Sequence, residues 1–245
     1  MIVTLLTDFG LADHYVGAMK GAVLSVCPQA QLIDISHEVA PYQILQAAYT
    51  LSQAWQTFPA GTIHLVVVDP GVGSARRPIL VEAGGHYFIA PDNGVLTMVL
   101  NSQPRYAATH LTARQYFRQT VSQTFHGRDI FAPVAGHLAT GVPPADFGEA
   151  IDDPVILPIT GMVLSIDRFG NIITSFGWDD LDPGFELILG DTVIQRRCRS
   201  YSEAQLGELF AIKGSGGFVE VSLNQGNAAR ALGVSRGTTV EIRRV

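Results

Sequence analysis

Two rhythms of apolar residues divide this chain. In the first, short strand-like runs alternate with stretches whose apolar positions recur at helical spacing. Ile2 to Leu6 reads as a strand ending at Thr7-Asp8-Phe9-Gly10, and Asp13 to Val26, carrying Val16, Met19, Ala22, Val23 and Val26, reads as a helix stopped by Cys27-Pro28. Gln31 to Ile35 is a second strand, Tyr42 to Trp55 a second helix through Ile44, Leu45, Ala48 and Leu51, and residues 62–68 a third strand. A strand beginning at Ile79, another from His86 to Ala90, a short helix from Val95 to Leu100 and a helix from Val134 to Thr140 follow. This alternation predicts an α/β domain with a mainly parallel sheet flanked by helices.

The second rhythm starts near Gly141-Val142-Pro143-Pro144, and Asp152-Asp153-Pro154 reads as a linker. Beyond it, short strands alternate with turn signals: Gly161 to Ile166, Ile172 to Thr174, Phe185 to Leu189, Phe218 to Leu223 and Thr238 to Arg243. The expected organisation is two domains, 1–150 of α/β type and 155–245 all-β, a small barrel or sandwich.

The chemistry concentrates where strands end. The third strand stops at Asp69-Pro70-Gly71, and the small-residue loop Gly71-Val72-Gly73-Ser74-Ala75 delivers Arg76 and Arg77. In an open α/β sheet the crevice beyond the strand ends is where ligands bind, although Asp-Pro-Gly is equally a plain turn and the arginines equally solvated charge. Asp8, at the end of the first strand, suits either a helix cap or a carboxylate that accepts bonds from a ribose diol. His126 sits in a polar loop, Thr124-Phe125-His126-Gly127-Arg128-Asp129, where an imidazole can orient or deprotonate water, or serve structure alone. In the second half three glycine-rich loops stand out: Ser165-Ile166-Asp167-Arg168-Phe169-Gly170-Asn171, Lys213-Gly214-Ser215-Gly216-Gly217-Phe218 and Asn224-Gln225-Gly226-Asn227. They read as β-turns or as backbone and amide groups suited to a purine edge or an amino-acid carboxylate. The dinucleotide fingerprint lacks its third glycine, and neither a serine elbow nor a His or Cys pair with metal-ligand spacing is present.

Composition narrows the partners. With 47% hydrophobic residues the chain can bury a real core, and a net charge of −6 without a basic run argues against nucleic acid. No apolar run reaches the roughly 18 residues of a membrane span. Met1 to Leu6 lacks the basic flank and cleavage site of a signal peptide. Cys27 and Cys198 fit two thiols in a reducing cytoplasm, a disulfide between them being the other reading.

Thr7-Asp8-Phe9-Gly10, Asp69-Pro70-Gly71-Val72-Gly73 with Arg76-Arg77, Ala90-Pro91-Asp92-Asn93-Gly94, Phe125-His126-Gly127-Arg128-Asp129, Asp167-Arg168-Phe169-Gly170-Asn171 and Asn224-Gln225-Gly226-Asn227-Ala228 occur in one order. Together they resemble the S-adenosyl-L-methionine (SAM) hydroxide adenosyltransferases, relatives of the fluorinase and chlorinase enzymes. The resemblance implies hydrolysis of SAM to adenosine and L-methionine without cofactor or metal. It also implies a cytoplasmic homotrimer in which the barrel-like second domain of one subunit completes a neighbour's site. The implied catalytic set is Asp69, Arg76 and His126, with the choice of base between Asp69 and His126 left open. Asp8 matches the ribose carboxylate, and Asp13 and Asp167 match acids near the methionine amine. Tyr42 and Phe125 match aromatic walls, while Asn171, Ser215 and Asn224 match loop positions that hold the purine or the amino-acid tail. Phe169 joins these as a substrate-binding candidate in the same turn. Two alternatives are a SAM-dependent halogenase and a non-catalytic adenosine- or SAM-binding module.

Overall fold

The computed structural model describes residues 1–244, which form two compact units, Met1–Leu157 and a second that begins at Pro158. The first unit runs β1 (Ile2–Thr7), α1 (Tyr15–Val26), β2 (Gln31–Ser36), α2 (Ile44–Ala54), β3 (Ile63–Val67), β4 (Pro78–Ala83), β5 (His86–Pro91), α3 (Thr97–Ser102), β6 (Tyr106–Leu111), α4 (Ala132–Ala139) and β7 (Gly148–Ile151). Its seven strands form one sheet in the order β2-β1-β3-β5-β4-β6-β7.

Burial explains the centre of this sheet. Every residue from Val3 to Leu6 and from Ile63 to Val66 is fully buried, so these strands are covered on both faces and are apolar except at Thr4 and His64, which bond to each other. Val3, Leu5, Ile63 and Leu65 pack with Met19 and Val23 of α1 and Val134 of α4. Leu6, Val66 and Val68 turn the other way, onto Ala47 and Leu51 of α2 and Val99 of α3.

The sheet is parallel only across β2-β1-β3-β5; β5, β4, β6 and β7 pair antiparallel. A mainly parallel sheet is therefore half of the picture. The cause is local: Ala83 pairs with His86 across Gly84-Gly85, whose φ values of 58° and 79° fit a two-residue hairpin, a connection that only antiparallel strands accept. The edge strand β7 lies in the proline- and aspartate-rich stretch that reads as a linker. It pairs with β6, so residues 148–151 belong to the first sheet.

The second unit runs β8 (Val163–Ile166), β9 (Ile172–Gly177), β10 (Glu186–Leu189), β11 (Thr192–Ile194), β12 (Arg197–Cys198), β13 (Leu209–Lys213), β14 (Phe218–Leu223), α5 (Ala228–Leu232) and β15 (Val240–Arg243). Among the described residues these strands make two open sheets, β12-β13-β14-β9-β8 and β11-β10-β15, rather than a closed barrel. Val163, Ile172, Leu187, Val219, Val221 and Val240 form their common core. The unit is not purely β: Asn227 caps α5 by accepting the Arg230 N–H at 2.7 Å, and Gly233 ends it at φ 64°. Cys27 and Cys198 are both free and buried, and among the described residues no helix is long and apolar enough to cross a membrane.

One buried polar group inside the first core makes stability pH-dependent. His64 is fully buried, with Nδ1 2.8 Å from Thr4 Oγ1 and Nε2 3.2 Å from His86 Nδ1. Burial, then the His86 charge, pushes its pKa from 6.5 to about 3. Between these values the unfolded chain takes up a proton that the folded chain refuses, so stability present above pH 6.5 is lost as pH falls toward 3. The expected slope from this residue is at most about 1.4 kcal/mol per pH unit. Denaturant melts across that window should show a shallower slope for His64→Gln; equal slopes would exclude His64 as the cause.

Candidate active site

The strand order reverses beside β1: its chain neighbour β2 lies on one side and β3 on the other. Such a switch point opens a crevice at the strands' carboxyl ends. Thr7 pairs with Val67 there, so Asp8 and Asp69 leave adjacent strands into the same crevice. Asn93 fixes the second exit by donating its side-chain amide to the Val68 carbonyl at 2.9 Å.

The loop after Asp69 doubles back on itself. Val72 N–H bonds to Asp69 O at 3.2 Å, Ser74 Oγ to Gly71 O at 2.6 Å, and Arg76 N–H to Ser74 Oγ at 3.3 Å. This returns the Arg76 side chain to Asp69, where Nε lies 2.9 and 3.0 Å from the two carboxylate oxygens and Nη2 also donates to Oδ2. The same Nη2 donates to His126 Nδ1 at 2.9 Å. The guanidinium lies over the Phe131 ring, 5.1 Å from its centroid, and the Arg76 and Asp69 side chains are only 9% and 5% exposed. Because Nδ1 accepts from arginine, the His126 proton sits on Nε2. Burial, then the Arg76 charge, holds this imidazole below its ordinary pKa against the pull of Asp69 and Asp129.

His126 is carried by a loop with its own anchor. Asp129 is fully buried and accepts the Ser122 N–H at 2.8 Å and Arg128 Nε at 2.7 Å. Burial opposes its charge, but Arg128 and Ser122 keep it below the usual carboxylate range. His126 precedes a π-helical turn, Gly127–Phe131, the kind of widened turn that recurs at functional positions. The two loops touch at Gly73, φ 76°, where an added Cβ would meet the Gln123 carbonyl at 2.4 Å.

Asp8 belongs to this cluster, and Tyr42 touches it through its backbone, donating its N–H to Asp8 Oδ2 at 2.8 Å. Tyr42 holds φ at 68° and is 70% exposed, so strained backbone displays an aromatic ring beside Asp8. Burial raises the Asp8 pKa, the Tyr42 N–H counters it, and the Asp69 charge adds to it. Phe125 is buried against Phe9 and Tyr15, with centroids 5.9 and 5.2 Å away. Asp13 stands exposed in the loop before α1.

The remaining sequence-predicted residues lie in the second unit, around a cavity of about 540 Å³ lined by Asp167, Phe169, Asn171 and Ser215. Asp167 spends its carboxylate on its own turn, accepting from Phe169 N, Asn171 N and Asn171 Nδ2, each at 2.9 Å. Asn224 donates its amide to Ala204 O at 2.7 Å, and its neighbours Leu223, Gln225 and Gly226 line the cavity instead. Sequence reasoning missed Tyr201 and Glu220, which also line it. Tyr201 donates its hydroxyl to Glu220 Oε1, and burial, then Glu220, raises its pKa to about 12. The alternation of β14 could have exposed Glu220, since Val219 and Val221 are fully buried on the opposite face.

Charged groups converging at the switch point of an open α/β sheet place the chain among small-molecule-binding α/β proteins. Residues 3–148 match the N-terminal domain, and residues 161–241 the C-terminal domain, of the SAM hydroxide adenosyltransferases. The chain therefore belongs to that family. It is 38% identical to an (R)-S-adenosyl-L-methionine hydrolase of Salinispora tropica, covering 98% of this chain and 97% of that one. A fluorinase of Nocardia brasiliensis is 24% identical over 99% and 96% of the two chains. A crystal structure of an uncharacterized conserved protein from Thermotoga maritima, 36% identical, superposes with a TM-score of 0.90 over 100% of both chains.

The Gly73 contact yields a local test. Gly73→Ala is expected to push the His126 loop away from Arg76, lowering stability by about 1–3 kcal/mol and turnover more than the same change at open Gly61. Equal effects of the two substitutions, in paired melts and rate assays, would show that this loop contact does not position His126.

Proposed function

We propose that this protein hydrolyses SAM to adenosine and L-methionine, water adding at the ribose C5′ carbon. The observation that carries this reading is the continuous Asp69–Arg76–His126 hydrogen-bonded chain at the switch point, in a chain whose relatives include SAM hydrolases. The sulfonium is already activated. As the new O–C5′ bond forms, the C5′–S bond breaks with its electron pair going to sulfur, methionine leaves as a neutral thioether, and one proton is released. The reaction needs a nucleophile held in line and stripped of solvent; neither a cofactor nor an acid for the leaving group is required.

The three side chains divide that work. Arg76 favours negative charge developing on the attacking oxygen. His126, with Nδ1 taken by Arg76, presents Nε2–H and orients the water as a donor. Asp69 is then the group left to receive the proton. Asp8, beside Tyr42, holds the ribose diol, Asp13 and Asp167 serve the methionine amine, and Phe125 lines the ribose side. The cavity formed by Phe169, Asn171, Ser215, Tyr201 and Glu220 takes a remote part of the substrate. Asn224 serves by shaping the loop beside that cavity. In a homotrimer, each such cavity would serve a neighbouring subunit.

Chromatography after incubation with SAM, with and without chloride, tests the reading. Adenosine and methionine in both samples are expected; a chloroadenosine would favour the halogenase, and unchanged SAM a binding module. Arg76→Ala is expected to lower kcat by about 10²–10³-fold while adenosine affinity changes by less than about threefold. Loss of affinity with kcat intact would remove Arg76 from the chemical step.

A further inference from the structure

We propose that His37 is a positioning residue that fixes the Asp8 carboxylate before any ligand arrives, an inference that rests on Asp8 holding the ribose diol. His37 lies one residue beyond β2, and its side chain is 2% exposed. It reaches the Asp8 turn from two directions. Its Nδ1 lies 2.8 Å from Thr7 Oγ1, and its backbone carbonyl accepts the Gly10 N–H at 2.8 Å. Thr7 Oγ1 in turn accepts the Phe9 N–H at 3.3 Å. The residues on both sides of Asp8 are thus tied, directly or through Thr7, to one imidazole.

The far side of that ring explains its direction. Nε2 lies 3.0 Å from Asp34 Oδ1, close enough to feel the carboxylate's charge but too oblique for an aligned hydrogen bond. Asp34 also pairs with Lys20 Nζ at 2.7 Å. A carboxylate there, though partly exposed, favours by its charge a proton on Nε2 over one on Nδ1. Nδ1 then accepts the Thr7 hydroxyl proton, which turns the Thr7 lone pairs toward Phe9 N–H. An apolar side chain of similar size would fill the space but leave the fully buried Thr7 hydroxyl without this acceptor.

The turn needs this clamp because Asp8 is unfavourably placed. Burial and the Asp69 charge both work against its ionised form, and a carboxylate on a loose turn would swing to solvent. With Thr7 to Gly10 fixed, Asp8 Oδ2 meets the Tyr42 N–H and Oδ1 remains for a diol. The ordering cost falls on folding instead of on binding.

Calorimetric titration of the whole protein with adenosine and with 2′,3′-dideoxyadenosine separates this role from general damage. Thr7→Val is expected to weaken adenosine about tenfold, and Thr7→Ser, which keeps the hydroxyl, to restore it. Asp34→Asn is expected to weaken adenosine in the same sense by a smaller factor. The dideoxy ligand should bind all four proteins equally, and with SAM as substrate KM should rise while kcat holds. Equal weakening of both nucleosides, no weakening of either, or failure of Thr7→Ser to rescue a folded protein would overturn the proposal, as would a wild-type protein that ignores adenosine. Adenosine binding with this pattern, but no methionine released from SAM, would instead end the hydrolase reading and leave the His37 role standing.

Discussion

The site depends on one guanidinium serving two partners. Arg76 meets both oxygens of Asp69 and the Nδ1 of His126, and it does so largely out of solvent. Removing two charges from water costs several kcal/mol per ion unless geometry and further hydrogen bonds offset it. The doubled-back loop of residues 69–76 supplies that geometry, and Phe131 supplies a π-face for the cation. Everything nearby works to keep three groups from different segments within reach. The exits of β1 and β3 are fixed because these two strands are buried on both faces, and the His126 loop is anchored by Asp129.

This constraint also sorts the roles. A histidine whose Nδ1 already accepts from arginine is a poor base at that atom and a good donor at the other. Its lowered pKa keeps it uncharged where a charged ring would compete with Arg76. Asp8, at the end of the neighbouring strand, is governed by a different balance of burial, the Tyr42 N–H and the charge of Asp69. Two carboxylates at neighbouring strand ends therefore play unlike parts: one is locked to a cation, the other has an oxygen free for a ligand.

Much of the first unit was legible because its physics is local. β1 and β3 are buried on both faces and so read as largely apolar runs broken only by threonine and His64, and Pro28 and Asp69-Pro70-Gly71 stop their elements where sterics require. The Gly84-Gly85 turn that makes β4 and β5 antiparallel is present in the chain, but the alternation of strands and helices does not register it as a hairpin, which is why the expected sheet is mainly parallel. β6 and β7 were not legible: neither has a clear alternation, and β7 exists because β6 offers an edge to pair with. β13 was missed for a similar reason, since Leu209–Lys213 is too short a run for its period to separate strand from buried loop. In the site, Asp69 and Arg76 share one loop, so their meeting follows from a tight turn. His126 lies 50 residues beyond Arg76 in sequence, and only the family resemblance linked them. Glu220 stands out only by the alternation of β14, and the pairing of Thr7 with His37 carried no signal, because it is a tertiary contact.

Turnover in water enriched in ¹⁸O, with mass spectrometry of both products, tests most directly that a water held by Asp69, Arg76 and His126 attacks C5′. Label in the 5′-hydroxyl of adenosine in the wild-type protein, with its rate of appearance collapsing when Arg76 is removed, is the expected result. Unlabelled adenosine, label in methionine, or a labelling rate indifferent to Arg76 would contradict it.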